Sequence, residues 1–261
     1  MLDRDRRRAM RLCVARAALW SVACVLCAAA LGVPPAMPQP PRANEQMDAS
    51  SNVIEAQHIG ADFAVDDFAN AAWHRARAVP IMRYWSGAIA PAARHAEARV
   101  LWSDAALYVR FTAQQGEPLV VSDKPRLDEK TKGLWDRDVC ELFIAPNAQM
   151  PERYFEFEVA PTGEWIDLGI HQLPDRRETD WAYHSGATFA ARTAKDSITL
   201  TMRVPWTALG GAPRPGARWR ANLYRCVGAG AQRGYLAWQP TLTPEPSFHV
   251  PQRFGWLEFK G

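Results

Sequence analysis

After about residue 51, apolar and polar residues alternate in short runs broken by Gly, Pro, Asp or Asn, and no long stretch keeps an apolar period of 3.6. That pattern predicts strands rather than helices. Arg99–Trp102 and Leu107–Phe111, flanking Ser103-Asp104, read as a hairpin. Asp138–Ile144 and Tyr154–Val159 read as two strands, and Glu164–Ile170 follows the turn Pro161-Thr162-Gly163. Phe189–Arg192 pairs with Ile198–Val204, and Trp219–Val227, Tyr235–Trp238 and Phe254–Phe259 complete the set. Pro205–Leu209 reads as one helical turn with Pro at its first position. Roughly ten short strands at this spacing predict an all-β fold, a two-sheet antiparallel β-sandwich of immunoglobulin-like or jelly-roll-like form with short helical turns.

Alternation also assigns faces, because successive side chains on a strand point to opposite sides. Cys140, Leu142 and Ile144 share one side and Val139, Glu141 and Phe143 the other. Phe155, Phe157 and Val159 are expected to face the core, with Tyr154, Glu156 and Glu158 on an outer, solvent-side face.

The chain's 31 Lys and Arg against 28 Asp and Glu give a formal charge of +3. Residues 1–30 alone carry a net +4, so the remainder is near neutral and no nucleic-acid partner is expected. That Arg-rich start precedes an apolar run from Ala17 to Leu31 with small residues at Ala28 and Ala30. Residues 1–30 therefore read as a cleaved signal peptide, since the run is short for the ~20 residues of a membrane span. The expected protein is secreted or periplasmic, with no stable membrane span after cleavage. Residues 31–52 read as a Pro-rich linker and residues 53–261 as one folded domain. Of the five cysteines, Cys140 and Cys226 lie in the domain, where pairing and burial as free thiols are equally compatible with the sequence.

Candidate chemistry is sparse. No nucleophile elbow, zinc-protease motif or phosphate-binding loop is present, and the six histidines lack metal-ligand spacing. Gly228–Gly234 reads as a hairpin loop. Glu156 and Glu158 would stand about 7 Å apart along a strand, within the span of inverting glycosidases, but strand alternation alone accounts for them. No catalytic residue is assigned. Tryptophan is the unusual component, with 11 residues. Trp102, Trp206, Trp219 and Trp256 read as packing residues. Trp135, in a polar loop entering a strand, and Trp238, at a strand end, are placed either to pack or to stack on the C–H face of a pyranose.

These residues resemble the family 9 carbohydrate-binding modules and their secreted relatives across most of residues 60–261. The resemblance runs through Val65-Asp66-Asp67, Trp73 and Val100–Val109, is most specific in Trp135–Ile144 and Tyr154–Val159, and ends with Trp219–Arg225, Leu236-Ala237-Trp238, Phe248–Pro251 and Arg253-Phe254-Gly255. It implies a β-sandwich that holds a sugar or short oligosaccharide of the plant-polysaccharide type between two tryptophans, in support of carbohydrate catabolism. Trp135 and Trp238 fall on the two walls, and Glu141 on a hydroxyl-binding position. Asp138, Arg137, Glu158 and Asn222 join the implied site. Glu158 stands where xylan- and cellulose-binding members carry an Arg. The resemblance implies no required cofactor and allows a structural Ca²⁺ whose ligands are not assigned.

Such a module would be non-catalytic and would work alone or beside a separately encoded glycoside hydrolase. The alternatives are a haem-b electron carrier on the related DOMON-like sandwich, with Met82, Met202 and His249 as available ligands, a domain that mediates protein contacts, and a glycoside hydrolase.

Overall fold

Each alternating run pairs with its neighbours through short turns. The structure, a computed structural model, describes residues 52–261; the expected leader, and the linker up to residue 51, lie outside the described residues. The strands are β1 (Val53–His58), β2 (Val79–Ile81), β3 (Arg83–Tyr84), β4 (Ala96–Trp102), β5 (Ala106–Gln114), β6 (Val139–Ala145), β7 (Arg153–Val159), β8 (Trp165–Gln172), β9 (Arg177–Asp180), β10 (Thr188–Thr193), β11 (Ser197–Pro205), β12 (Arg218–Val227), β13 (Gly234–Ala237) and β14 (Gly255–Phe259). All helical segments among the described residues are short 3-10 turns, and none is long and apolar enough to cross a membrane. The expected helical turn is one of them, Trp206–Leu209, with Pro205 as its N-cap.

One sheet runs β14-β12-β6-β7-β8-β9, with β13 beside the second half of β12 and β3 on β13. The other runs β10-β11-β5-β4, with β2 on β4. The fold is the predicted all-β sandwich, with one departure from antiparallel pairing. Strand β1 runs parallel to β14 from Val53 to Ala56, then parallel to β4 at Gln57 and His58, and so belongs to both sheets. Strands β1, β2, β3 and β9 were not predicted, because they are short or lack an apolar alternation; β9 reads Arg-Glu-Thr-Asp.

The inter-sheet core contains Val100, Trp102, Val109, Phe111, Leu142, Ile144, Phe157, Met202, Leu223 and Phe259. A second apolar cluster covers the outer face of the larger sheet, from Val139, Phe143, Tyr154, Ile166, Leu168, Tyr224, Phe248 and Phe254. Every position of β6 is consequently buried. The outer face was expected to meet solvent; instead the segment between β13 and β14 folds back over it. A strand apolar on both faces needs cover on both.

The two cysteines are free and buried. Cys140 faces the inter-sheet core and Cys226 the second cluster, so the sheet lies between their thiols. A disulfide needs side chains that point toward each other. Trp102, Trp206 and Trp219 pack in the core as expected. Trp256 does not: it is half-buried, with the Arg218 and Arg220 guanidiniums each 4.5 Å from its ring centroid.

Candidate functional site

The cover over the larger sheet is incomplete. Between it and the strands lies a recess of about 330 Å³ lined by Trp135, Asp136, Glu141, Phe143, Glu156, Glu158, Leu168, Ile170, Arg177, Thr179, Trp181, Cys226, Tyr235 and the segment Pro246–His249. Strand parity builds the floor. Glu141 on β6 stands directly opposite Glu158 on β7, and Glu156 lies two residues along the same strand.

Four elements supply the aromatic walls. The turn before β6 begins at Gly133, whose φ of +82° is a left-handed conformation suited to glycine. Leu134 anchors this turn in the second cluster, and the Arg233 guanidinium donates to the carbonyls of Trp135 and Arg137, each at 2.6 Å. Trp181 follows β9 in a turn where Asp180 Oδ1 accepts from the backbone N–H groups of Ala182 and Tyr183. The residue is 46% exposed, so it stands at the mouth. The two indole centroids are 6.2 Å apart with planes inclined at 49°, which leaves no space for a ring between them. They make one continuous wall. Tyr235 on β13 and Phe248, stacked on Tyr224, complete the aromatic surface.

The floor is electrostatically unusual. Glu141, Glu156 and Glu158 have almost no exposed surface. Both carboxyl oxygens of Glu158, and Oε2 of Glu156, receive no donor from outside the carboxyl cluster, and the protonated Glu158 carboxyl hydrogen-bonds to Glu156. Glu141 Oε1 has only the weak Cys226 thiol, at 3.5 Å. Burial pushes the Glu141 carboxyl up to about 8, with Glu156 adding to the shift. Burial likewise raises Glu156, and raises Glu158 well above the ordinary range with Glu141 and Glu156 as like-charged neighbours. Desolvation and mutual repulsion both favour the neutral acids. His249, whose Nδ1 lies 2.7 Å from the Tyr154 hydroxyl, is lowered to about 3 by burial and by Arg177, and is neutral. Its 3.9 Å separation from Glu156 is therefore not an ion pair.

Of the residues expected in the site, the recess brings together Trp135, Glu141 and Glu158. The others lie elsewhere. Trp238 shares the parity of Leu236 and packs in the inter-sheet core, while Tyr235 takes the recess side of the same strand. Asp138 shares the parity of Cys140; its carboxylate accepts from the Gly228 N–H at 2.8 Å and the Gln115 amide at 3.2 Å. Arg137 donates to Glu164 at 2.8 Å. Asn222 lies on the sheet's outer face but is committed to the Tyr224 hydroxyl and to both backbone groups of Gln239. Glu156, expected on a solvent face, is on the floor, and Trp181 was not anticipated.

Met82 is exposed, Met202 is in the inter-sheet core and His249 lines the recess, so the structure does not assemble them as haem ligands. Among the described residues no group of three or more His, Cys, Asp or Glu is placed to share a metal ion.

A concave recess with aromatic walls and a few convergent polar groups has the general form of a small-ligand pocket. The chain belongs to the carbohydrate family 9 binding domain-like family, whose model matches residues 65–261. No curated protein matches the chain. Among solved structures, a Bacteroides uniformis protein described as carbohydrate-binding has 16% identity and a TM-score of 0.62, covering 80% of this chain and 99% of that one. A family 9 carbohydrate-binding module from Caldicellulosiruptor kristjanssonii, in complex with cellotriose, has 15% identity and a TM-score of 0.57, covering 80% and 94%. A structure of such a module from the same organism with glucose gives 15% and 0.56, covering 79% and 96%. At these identities the likeness is one of fold.

Proposed function

We propose that the chain is a non-catalytic carbohydrate-binding protein and that the recess on the larger sheet is its binding site. The observation that carries this reading is the pairing of an aromatic wall, Trp135 with Trp181, with a floor of buried carboxyls that no donor from outside their cluster reaches. Flat indoles suit the C–H face of a sugar ring. A neutral carboxyl offers one O–H donor and a carbonyl acceptor, the complement of a sugar hydroxyl. A volume of about 330 Å³ is at the small end of the ~300–1,000 Å³ typical of ligand pockets, which suits a chain end or short oligosaccharide. Glycosidic cleavage uses two carboxyls in unlike states, one acid and one ionised. The three floor carboxyls are instead shifted in the same direction, toward the neutral form. The Arg-rich, then apolar, N-terminal sequence supports export, so the ligand would be met outside the cytoplasm, beside a separately encoded hydrolase.

Calorimetric titration with cellotriose tests this reading. Trp181→Ala removes an exposed ring and is expected to weaken binding by about tenfold or more, about 1.4 kcal/mol or above, with little change in thermal midpoint. Trp135→Ala weakens binding similarly. A parent chain that binds no oligosaccharide, or a Trp181→Ala variant that binds as the parent does, overturns the proposal.

A further inference from the structure

The recess holds more acid than a neutral sugar needs. Four carboxyls line it: Asp136 from the turn before β6, Glu141 from β6, and Glu156 and Glu158 from β7. Arg177 from β9 is the one cationic side chain in the lining. Strand β8 contributes Leu168 and Ile170, β12 contributes Cys226, and β13 contributes Tyr235. Lys132 stands outside the lining, its Nζ 4.5 Å from the Trp181 ring centroid. Three floor oxygens, Oε2 of Glu156 and both oxygens of Glu158, receive no donor from outside the carboxyl cluster, in side chains 3% and 0% exposed.

A buried carboxyl cluster that no outside donor reaches is costly, and costlier when ionised. A hydroxyl brings one donor. An ammonium group brings three, with a positive charge. We infer that the recess takes a sugar bearing a free amine, with its ammonium seated among the Glu141, Glu156 and Glu158 carboxyls and its ring against Trp135 and Trp181. The inference rests on the carbohydrate reading and narrows it, away from neutral plant glycans, to amino sugars that are not N-acylated. An ammonium entering among neutral acids draws one of them to its carboxylate, and the released proton passes to the buffer. An N-acetyl group removes the charge and puts a methyl where donors are wanted.

The test compares the β-1,4-linked glucosamine trisaccharide, its fully N-acetylated counterpart and cellotriose by calorimetry at mildly acidic pH, where the free amines are already ammonium groups, in two buffers of different ionisation enthalpy. The expected result is that the glucosamine trisaccharide binds at least tenfold tighter than the other two and releases protons. In Glu158→Gln its advantage over cellotriose falls to about one. If cellotriose binds as tightly or tighter, the amine inference falls while the carbohydrate reading stands. If none of the three binds, both fall. A Glu158→Gln variant that keeps the tenfold preference puts the amine elsewhere and overturns the inference. So does a linear polyamine that binds as well as the amino sugar, because charge alone would then suffice.

Discussion

Replacing Glu158 by Gln should make stability less dependent on pH, in a direction that follows from its position. The side chain has no exposed surface, no donor from outside the carboxyl cluster reaches either oxygen, Glu141 stands directly opposite, and Glu156, two residues away, is its hydrogen-bond partner. In the unfolded chain the carboxyl titrates near 4.5; in the folded protein burial and these neighbours raise it well above that. The native state therefore retains a proton that the unfolded state gives up. Stability present below pH 4.5 is lost as pH rises toward the folded value. One such group costs about 1.4 kcal/mol per pH unit, a ceiling of about 4 kcal/mol between pH 5 and pH 8. His249 acts in the opposite sense, but only as pH falls below its unfolded value of 6.5, and the parent and the variant share it. Glutamine keeps the shape and does not titrate. Urea unfolding of the full chain, followed by tryptophan fluorescence, should give similar stabilities near pH 5. Near pH 8 the variant should be more stable by about 1–4 kcal/mol. Parallel pH profiles for parent and variant would refute the claim that this carboxyl is held neutral at a cost.

Two further substitutions test the framework around the recess. At Gly255 an added methyl would run into the Trp238 ring edge and stand 2.9 Å from the Asn52 carbonyl oxygen, so Gly255→Ala should destabilise by about 1–3 kcal/mol in thermal unfolding; an unchanged midpoint would show that Trp238 is free to shift. Asn222→Ala removes the hydrogen bonds to the Tyr224 hydroxyl and to Gln239, at 2.8–3.0 Å, and should cost about 1–3 kcal/mol. Because Gln239 opens the segment that carries Phe248 and His249 into the recess, the same variant should bind cellotriose more weakly, and a titration matching the parent's would separate that segment from the site.

The strands were legible because their alternation is a local property. Residues 154–159 carry apolar groups on one parity strongly enough to assign their inward face, and residues 138–144 divide into two faces by the same alternation; the structure keeps both. What covers the other face was not legible. Glu156 and Glu158 read as solvent-side because a charged rung ordinarily points to water, whereas here the chain from Gln239 to Phe254 closes over that rung. The signal was present in part. Val139, Phe143 and Tyr154 share the face of the glutamates, and three large apolar groups there argue for a second buried layer.

The two indoles differ in the same way. Trp238 was drawn to the site by its place at a strand end, but parity was the better guide, since Leu236 and Trp238 share a face and Tyr235 takes the other. Trp181 was invisible because the strand that delivers it, Arg177–Asp180, has no apolar alternation and is held as an edge strand by pairing with β8. A residue whose position depends on long-range backbone pairing leaves no local trace. Both the wall and the floor of the recess are therefore products of topology. Strand β9 brings Trp181 to within 6.2 Å of Trp135 across 46 residues of chain. The β6–β7 register sets Glu141 against Glu158, so a change of one residue in that register would carry one of the carboxyls to the inter-sheet side.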